Sequence, residues 1–119
     1  MELRENMRIV QELVPGKQIT LAHIIASPDE ILYKKLGLDP KTDYTRSAIG
    51  VLTISPAESA VITADIAIKS SGAEIGFVDR FTGTLIISGS VSSVESVFAA
   101  IREYFTTKLT YVCCDITRT

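Results

Sequence analysis

The chain has 119 residues, 12 basic and 14 acidic side chains and a formal net charge of −2. That length suits one domain, since domains cluster near ~100–150 residues, and 46 % apolar content speaks against disorder. The charge balance offers no basic face for nucleic acid, and two cysteines with one histidine leave too little for a disulfide scaffold or a His/Cys metal site.

At the N-terminus, Glu2, Arg4, Glu5, Arg8 and Glu12 break up any apolar stretch, so no secretory signal is read there. No apolar run approaches the ~20 residues of a membrane helix, and a cytoplasmic, membrane-free protein is expected. Arg8 to Val14 is a weak strand candidate closed by Pro15-Gly16. Lys17 to Ile25 alternates, which predicts a strand with Ile19, Leu21, His23 and Ile25 on one face.

Three serine capping boxes predict helix starts: Ser27-Pro28-Asp29-Glu30, Ser55-Pro56-Ala57-Glu58 and Ser92-Ser93-Val94-Glu95. In the first two, proline is expected at the first helical position. The first helix is short, with Ile31 and Leu32 inward, Lys34 and Lys35 in its last turn and Gly37 closing it. Gly37 to Ser47 reads as a polar loop. Ala48 to Ile54 reads as a buried strand. The second helix carries Ala57, Ala60, Val61, Ala64 and Ile68 on one line and Ile62 and Ile66 on another. Apolar character on more than one side points to burial in an oligomer. Ala73–Asp79 and Thr84–Ser88 form a hairpin around Arg80-Phe81-Thr82-Gly83. The third helix has one stripe, Val94, Val97, Phe98, Ile101 and Phe105, and Thr110 to Ile116 is the last strand.

From Ala48 onward the order is strand, helix, strand, hairpin, strand, helix, strand. This is an α+β, ferredoxin-like pattern: an antiparallel sheet with helices on one side. No phosphate loop and no GxSxG elbow is present, so no enzymatic activity is expected. His23, among apolar neighbours, reads as a half-buried, hydrogen-bonded histidine. Asp79 and Arg80 read as turn contacts, and Cys113 and Cys114 as buried thiols. The residues alone lead to a small, oligomeric, non-catalytic domain, with a regulatory ligand-binding domain of ferredoxin-like fold as the alternative.

Four motifs go further. Val14-Pro15-Gly16-Lys17-Gln18-Ile19-Thr20-Leu21-Ala22-His23-Ile24-Ile25-Ala26, Ala48-Ile49-Gly50-Val51-Leu52-Thr53-Ile54-Ser55-Pro56, Ile75-Gly76-Phe77-Val78-Asp79-Arg80-Phe81-Thr82-Gly83 and Cys114-Asp115-Ile116-Thr117-Arg118 stand in order along the chain. Together they resemble the circularly permuted shell proteins of bacterial microcompartments, among them the small hexameric shell proteins of ethanolamine- and propanediol-utilisation compartments. The resemblance covers the chain from Ile9 to its end.

It implies a structural tile: a homohexamer that packs with other shell proteins into facets around aldehyde-producing enzymes, with no cofactor. It implies an N-terminal arm over residues 1–16 and a permuted shell domain over 17–119, in which the strand and short helix of Lys17–Gly37 precede the elements they ordinarily follow. By this resemblance Arg80, Phe81, Thr82 and Gly83 line the central pore. Ile9, Val10, Gln11, Glu12, Leu13 and Val14 supply one strand per subunit to a barrel over that pore, and Lys69 stands at the hexamer edge. Ordinary members pair that lysine with an arginine in a loop where this chain has Ser27. Ethanolamine, propanediol and choline compartments all stay open.

Overall fold

A computed structural model of the chain describes residues 16–38, 47–70 and 72–119. The weak strand expected at Arg8–Val14 and most of the polar loop lie outside these residues. The elements, in order, are β1 (Gln18–Ile25), α1 (Glu30–Lys35), β2 (Ala48–Ser55), a 3-10 turn (Ala57–Ser59), α2 (Ala60–Lys69), β3 (Ala73–Asp79), β4 (Thr84–Gly89), α3 (Val91–Thr107), β5 (Val112–Cys113) and β6 (Thr117–Arg118).

They build one six-stranded sheet in the order β3-β4-β2-β1-β5, with β6 also pairing β1. Neighbours from β3 to β1 are antiparallel, whereas β5 and β6 run parallel to β1. The sheet is therefore mixed, not wholly antiparallel as expected. In place of one closing strand over Thr110–Ile116 there are two short ones. The chain breaks between them, where the Arg102 guanidinium donates to the Cys114 carbonyl at 2.8 Å.

The main core lies between one sheet face and helices α2 and α3. The α3 stripe is as expected: Val94, Val97, Phe98, Ile101 and Phe105 are all buried. Close approach to the sheet is possible because β2 carries Gly50, where a Cβ would stand 2.7 Å from both Phe98 and Val94. At the end of α3, Thr110 takes φ 57°, a left-handed conformation uncommon for a β-branched residue. That reversal lets the Tyr111 N–H donate to the Phe105 carbonyl at 2.8 Å and sets the two rings edge to face. The Tyr111 hydroxyl then meets the Ser59 hydroxyl at 2.7 Å in the interior.

A second, smaller core covers part of the opposite face. Here Tyr33 and Leu38 pack on Ile49 and Ile86, joined by Ile25, Leu32, Leu36 and Val51. Helices thus occupy both faces rather than one. Ile31, expected inside, is 62 % exposed, and Tyr33 takes its place with its hydroxyl donating to the Ser47 carbonyl at 2.7 Å.

β1 departs from strict alternation. A bulge between Ile19 and Leu21 shifts the phase, so Ile19, Ala22 and Ile24 enter the main core while Leu21, His23 and Ile25 face the other side. The expected single face of Ile19, Leu21, His23 and Ile25 is thereby split.

None of the three helix starts uses the cap expected. Asp29, not Ser27, caps α1 and accepts from the Ile31 N–H at 3.0 Å; its charge suits the helix N-terminus better than a hydroxyl. Ser55 is still part of β2, paired with Gln18, so the chain passes through a 3-10 turn and α2 begins without a side-chain cap. Ser90, not Ser92, caps α3 and accepts from the Ser93 N–H at 3.1 Å, because β4 ends at Gly89 and the chain turns at once. Neither Pro28 nor Pro56 lies inside a helix. Ser90→Ala should therefore lower stability by about 1 kcal/mol, while Ser92→Ala should stay within ~0.5 kcal/mol. Paired urea denaturation curves of the two variants check this.

Candidate functional site

The hairpin between β3 and β4 is built by its own side chains. The Asp79 carboxylate accepts from the Phe81 N–H at 2.8 Å and the Thr82 hydroxyl at 3.0 Å, and the Gly83 N–H donates to the Asp79 carbonyl at 2.9 Å. Gly83 takes φ 76°, and a Cβ there would run into the Ile54 carbonyl oxygen. Its own carbonyl accepts from the Ile54 N–H at 2.9 Å, which ties the turn to β2. With the turn fixed, Phe81 projects outward, 79 % exposed, and the Arg80 guanidinium lies 5.0 Å from the centre of its ring. Val61 and Val78 join Asp79, Arg80 and Phe81 around a shallow groove. Arg80, Phe81 and Thr82 thus form an exposed tip, Gly83 lies buried beneath it against Ile54, and Asp79, expected as a turn contact, is the residue that shapes the turn.

Lys69 stands apart from that tip. α2 starts beside the hairpin end of β2 and runs to Lys69, after which β3 begins at the other end of the sheet, where Ala73 pairs Gly89. The Lys69 ammonium contacts Asp65 at 2.9 Å, one turn back on the same exposed helix surface, and that pairing raises the lysine's pKa. Ile9–Val14, expected to supply a barrel strand, lies outside the described residues. Its continuation does not: β1 opens at Gln18, opposite Ser55, on the strand that also holds the hairpin.

His23 has a structural environment. Its ring nitrogens meet the Thr117 hydroxyl at 2.6 Å and the Thr119 hydroxyl at 2.9 Å, which fastens the C-terminal segment to β1. Cys113 and Cys114 are free and half-buried, and burial chiefly pushes the Cys114 thiol pKa up, away from reactivity. Among the described residues no three His, Cys, Asp or Glu side chains gather closely enough to hold a metal ion, and no helix is long and apolar enough to cross a membrane. Sequence reasoning missed Val61 and Val78 as neighbours of the tip; only the packing of α2 over β3 brings them there.

Comparison with known proteins agrees with this architecture. Residues 48–115 match the BMC domain family, and the chain belongs to it. More particularly, it is a member of the bacterial microcompartment shell proteins. It is 49 % identical over 112 residues to shell protein PduU of Salmonella typhimurium, covering 94 % of this chain and 93 % of that one. It is 48 % identical over 117 residues to shell protein CutR of Streptococcus intermedius, covering 98 % and 97 %. A solved flat hexamer of CutR superposes with a TM-score of 0.80 at 47 % identity, covering 95 % of this chain and 100 % of that one.

The hairpin makes a pH prediction. Donation from the Phe81 N–H and the Thr82 hydroxyl to the charged carboxylate holds the Asp79 pKa below its ordinary value. A depressed folded-state pKa gives stability that is present above the unfolded pKa and lost as pH falls through the folded one. Asp79 should thus titrate below the ordinary ~3.9 in a carboxyl NMR titration. Asp79→Asn should flatten the acid limb of the stability profile in that range.

Proposed function

We propose that this shell protein works as a ring-forming tile: a homohexamer with the Arg80–Gly83 hairpin at the central pore and the Lys69 end of α2 at the rim. The observation that carries this reading is the separation of the two features. The rigid hairpin tip closes one end of the sheet, and α2 leads away from it to Lys69 at the other. A ring of copies with one end inward and the other outward gives each feature the position the resemblance assigns.

The N-terminal arm, residues 1–16, fits as a pore cover. β1 starts two strands from the hairpin, roughly 10 Å at ~4.8 Å per strand, so a segment preceding it lies beside the axis. Ile9, Val10, Gln11, Glu12, Leu13 and Val14 then supply one strand each to a closed barrel, which would leave no open edge. Residues 17–119 form the shell domain in permuted order. Two observations support the permutation: the family match begins only at residue 48, and β1 from the preceding block sits inside the sheet between β2 and β5. The role is that of a wall, without catalysis of its own, tiling with other shell proteins around enzymes that handle a reactive intermediate.

Native mass measurement should give six copies; three or two would overturn the hexameric ring. Thr82→Cys should form disulfide-linked dimers under mild oxidation if the hairpins converge on an axis, and purely monomeric chains on a denaturing gel would remove them from the pore. Lys69→Ala should leave the ring intact, since its pair with Asp65 is solvent-exposed and screened. It should weaken sheet formation in electron micrographs, and unchanged sheets would take Lys69 out of the rim contact.

A further inference from the structure

Cys113 and Cys114 stand next to each other where β5 ends, and neither is in a disulfide. In a continuing strand, neighbouring side chains would point to opposite faces. Here the strand stops at Cys113, and both side chains pack against the main core while staying half-buried. The Cys113 sulfur lies 3.8 Å from the Tyr111 carbonyl oxygen and 4.0 Å from that of Arg102.

The backbone that carries the pair is held from two directions. On the β1 side, the Val112 N–H donates to the Lys17 carbonyl and the Cys114 N–H to the Ile19 carbonyl, each at 3.1 Å. From α3, the Arg102 guanidinium donates to the Cys114 carbonyl at 2.8 Å and to the Cys113 carbonyl at 3.5 Å. Side-chain rotation is the freedom that remains, so a ligand that takes both sulfurs meets a site already ordered.

The number and softness of the donors set the class of ligand. Thiol sulfur selects soft centres. Among the described residues no third His, Cys, Asp or Glu gathers with the pair to share a metal ion. A divalent ion that wants four ligands is therefore poorly served, whereas a centre that needs two sulfurs is well served. We propose that Cys113 and Cys114 form a vicinal dithiol site for a monosubstituted trivalent arsenical. In the capture step two S–H bonds and the arsenic–oxygen double bond break and two As–S bonds form. The two protons leave with the oxygen as one water, and arsenic stays trivalent, so no oxidant or reductant is consumed. Burial, and then the neighbouring Cys113 thiol, push the Cys114 pKa up. That thiol keeps the proton which the departing water needs, while simple alkylation, which requires a thiolate, is slowed.

The test uses phenylarsine oxide and the full folded chain in equal amounts. Intact mass should show one adduct per chain, heavier by the reagent less one water, and both thiols should vanish from a thiol titration. Excess mercaptoethanol should leave the adduct in place, and the dithiol dimercaptopropanol should strip it. Cys113→Ser and Cys114→Ser should each lose the adduct in mercaptoethanol, with circular dichroism unchanged; should either fail to fold, Cys113→Ala and Cys114→Ala are read by the same criteria. A wild-type adduct stripped by mercaptoethanol, a single variant that keeps it, or one arsenic bridging two chains would overturn the site. Concentrated urea should weaken capture by releasing the Arg102 grip, and equal capture there would overturn the part assigned to the fold.

Discussion

The domain depends on β1 being gripped from both sides. It pairs antiparallel with β2 along its whole length and parallel with β5 and β6 on its other edge. The Ala26 N–H donates to the Thr119 carbonyl and the Thr119 N–H to the Ile24 carbonyl, while His23 ties down two threonine hydroxyls. Arg118 reaches Glu95 on α3 at 3.0 Å, and Arg102 holds the break between β5 and β6. Remove β1 and the sheet would lose an inner strand, the C-terminal segment its partner, and the second core Ile25. The strand that comes first in the described chain thus joins its last residues to the hairpin-bearing half.

A second constraint is size. Small residues on α2, namely Ala60, Thr63, Ala64 and Ala67, let that helix sit close to the sheet. Of its larger residues, Val61, Ile62 and Ile68 are left to solvent, while Ile66 packs against the core. A solitary monomer gains nothing from that arrangement, because exposed aliphatic groups forgo the transfer energy that burial gives. A helix with its small side inward and its large side outward suits a subunit whose neighbours complete it.

The stripe of α3, the strands of the hairpin and the turn at Arg80–Gly83 were legible in the sequence because each rests on local periodicity or on a single residue requirement, such as the backbone at Gly83. The helix caps were not. In Ser90-Val91-Ser92-Ser93 three serines compete, and the choice falls where β4 stops, which is decided by its pairing with β2 and β3. Likewise Ser55 looks like a cap until its pairing with Gln18 keeps it in a strand. The facing of β1 failed for the same reason: a bulge costs one residue of register and turns every later side chain over.

By itself, then, the sequence determined the kinds of element, the order in which they come, the absence of familiar catalytic motifs and, through four spaced motifs, the family. Those are properties of neighbours along the chain. Only the tertiary structure decided that β1 lies inside the sheet, that α1 covers the second face, and that Val61 and Val78 stand beside the hairpin tip. These depend on which strands pair and which helix covers which edge. Such contacts join residues far apart in sequence, and no local pattern encodes them.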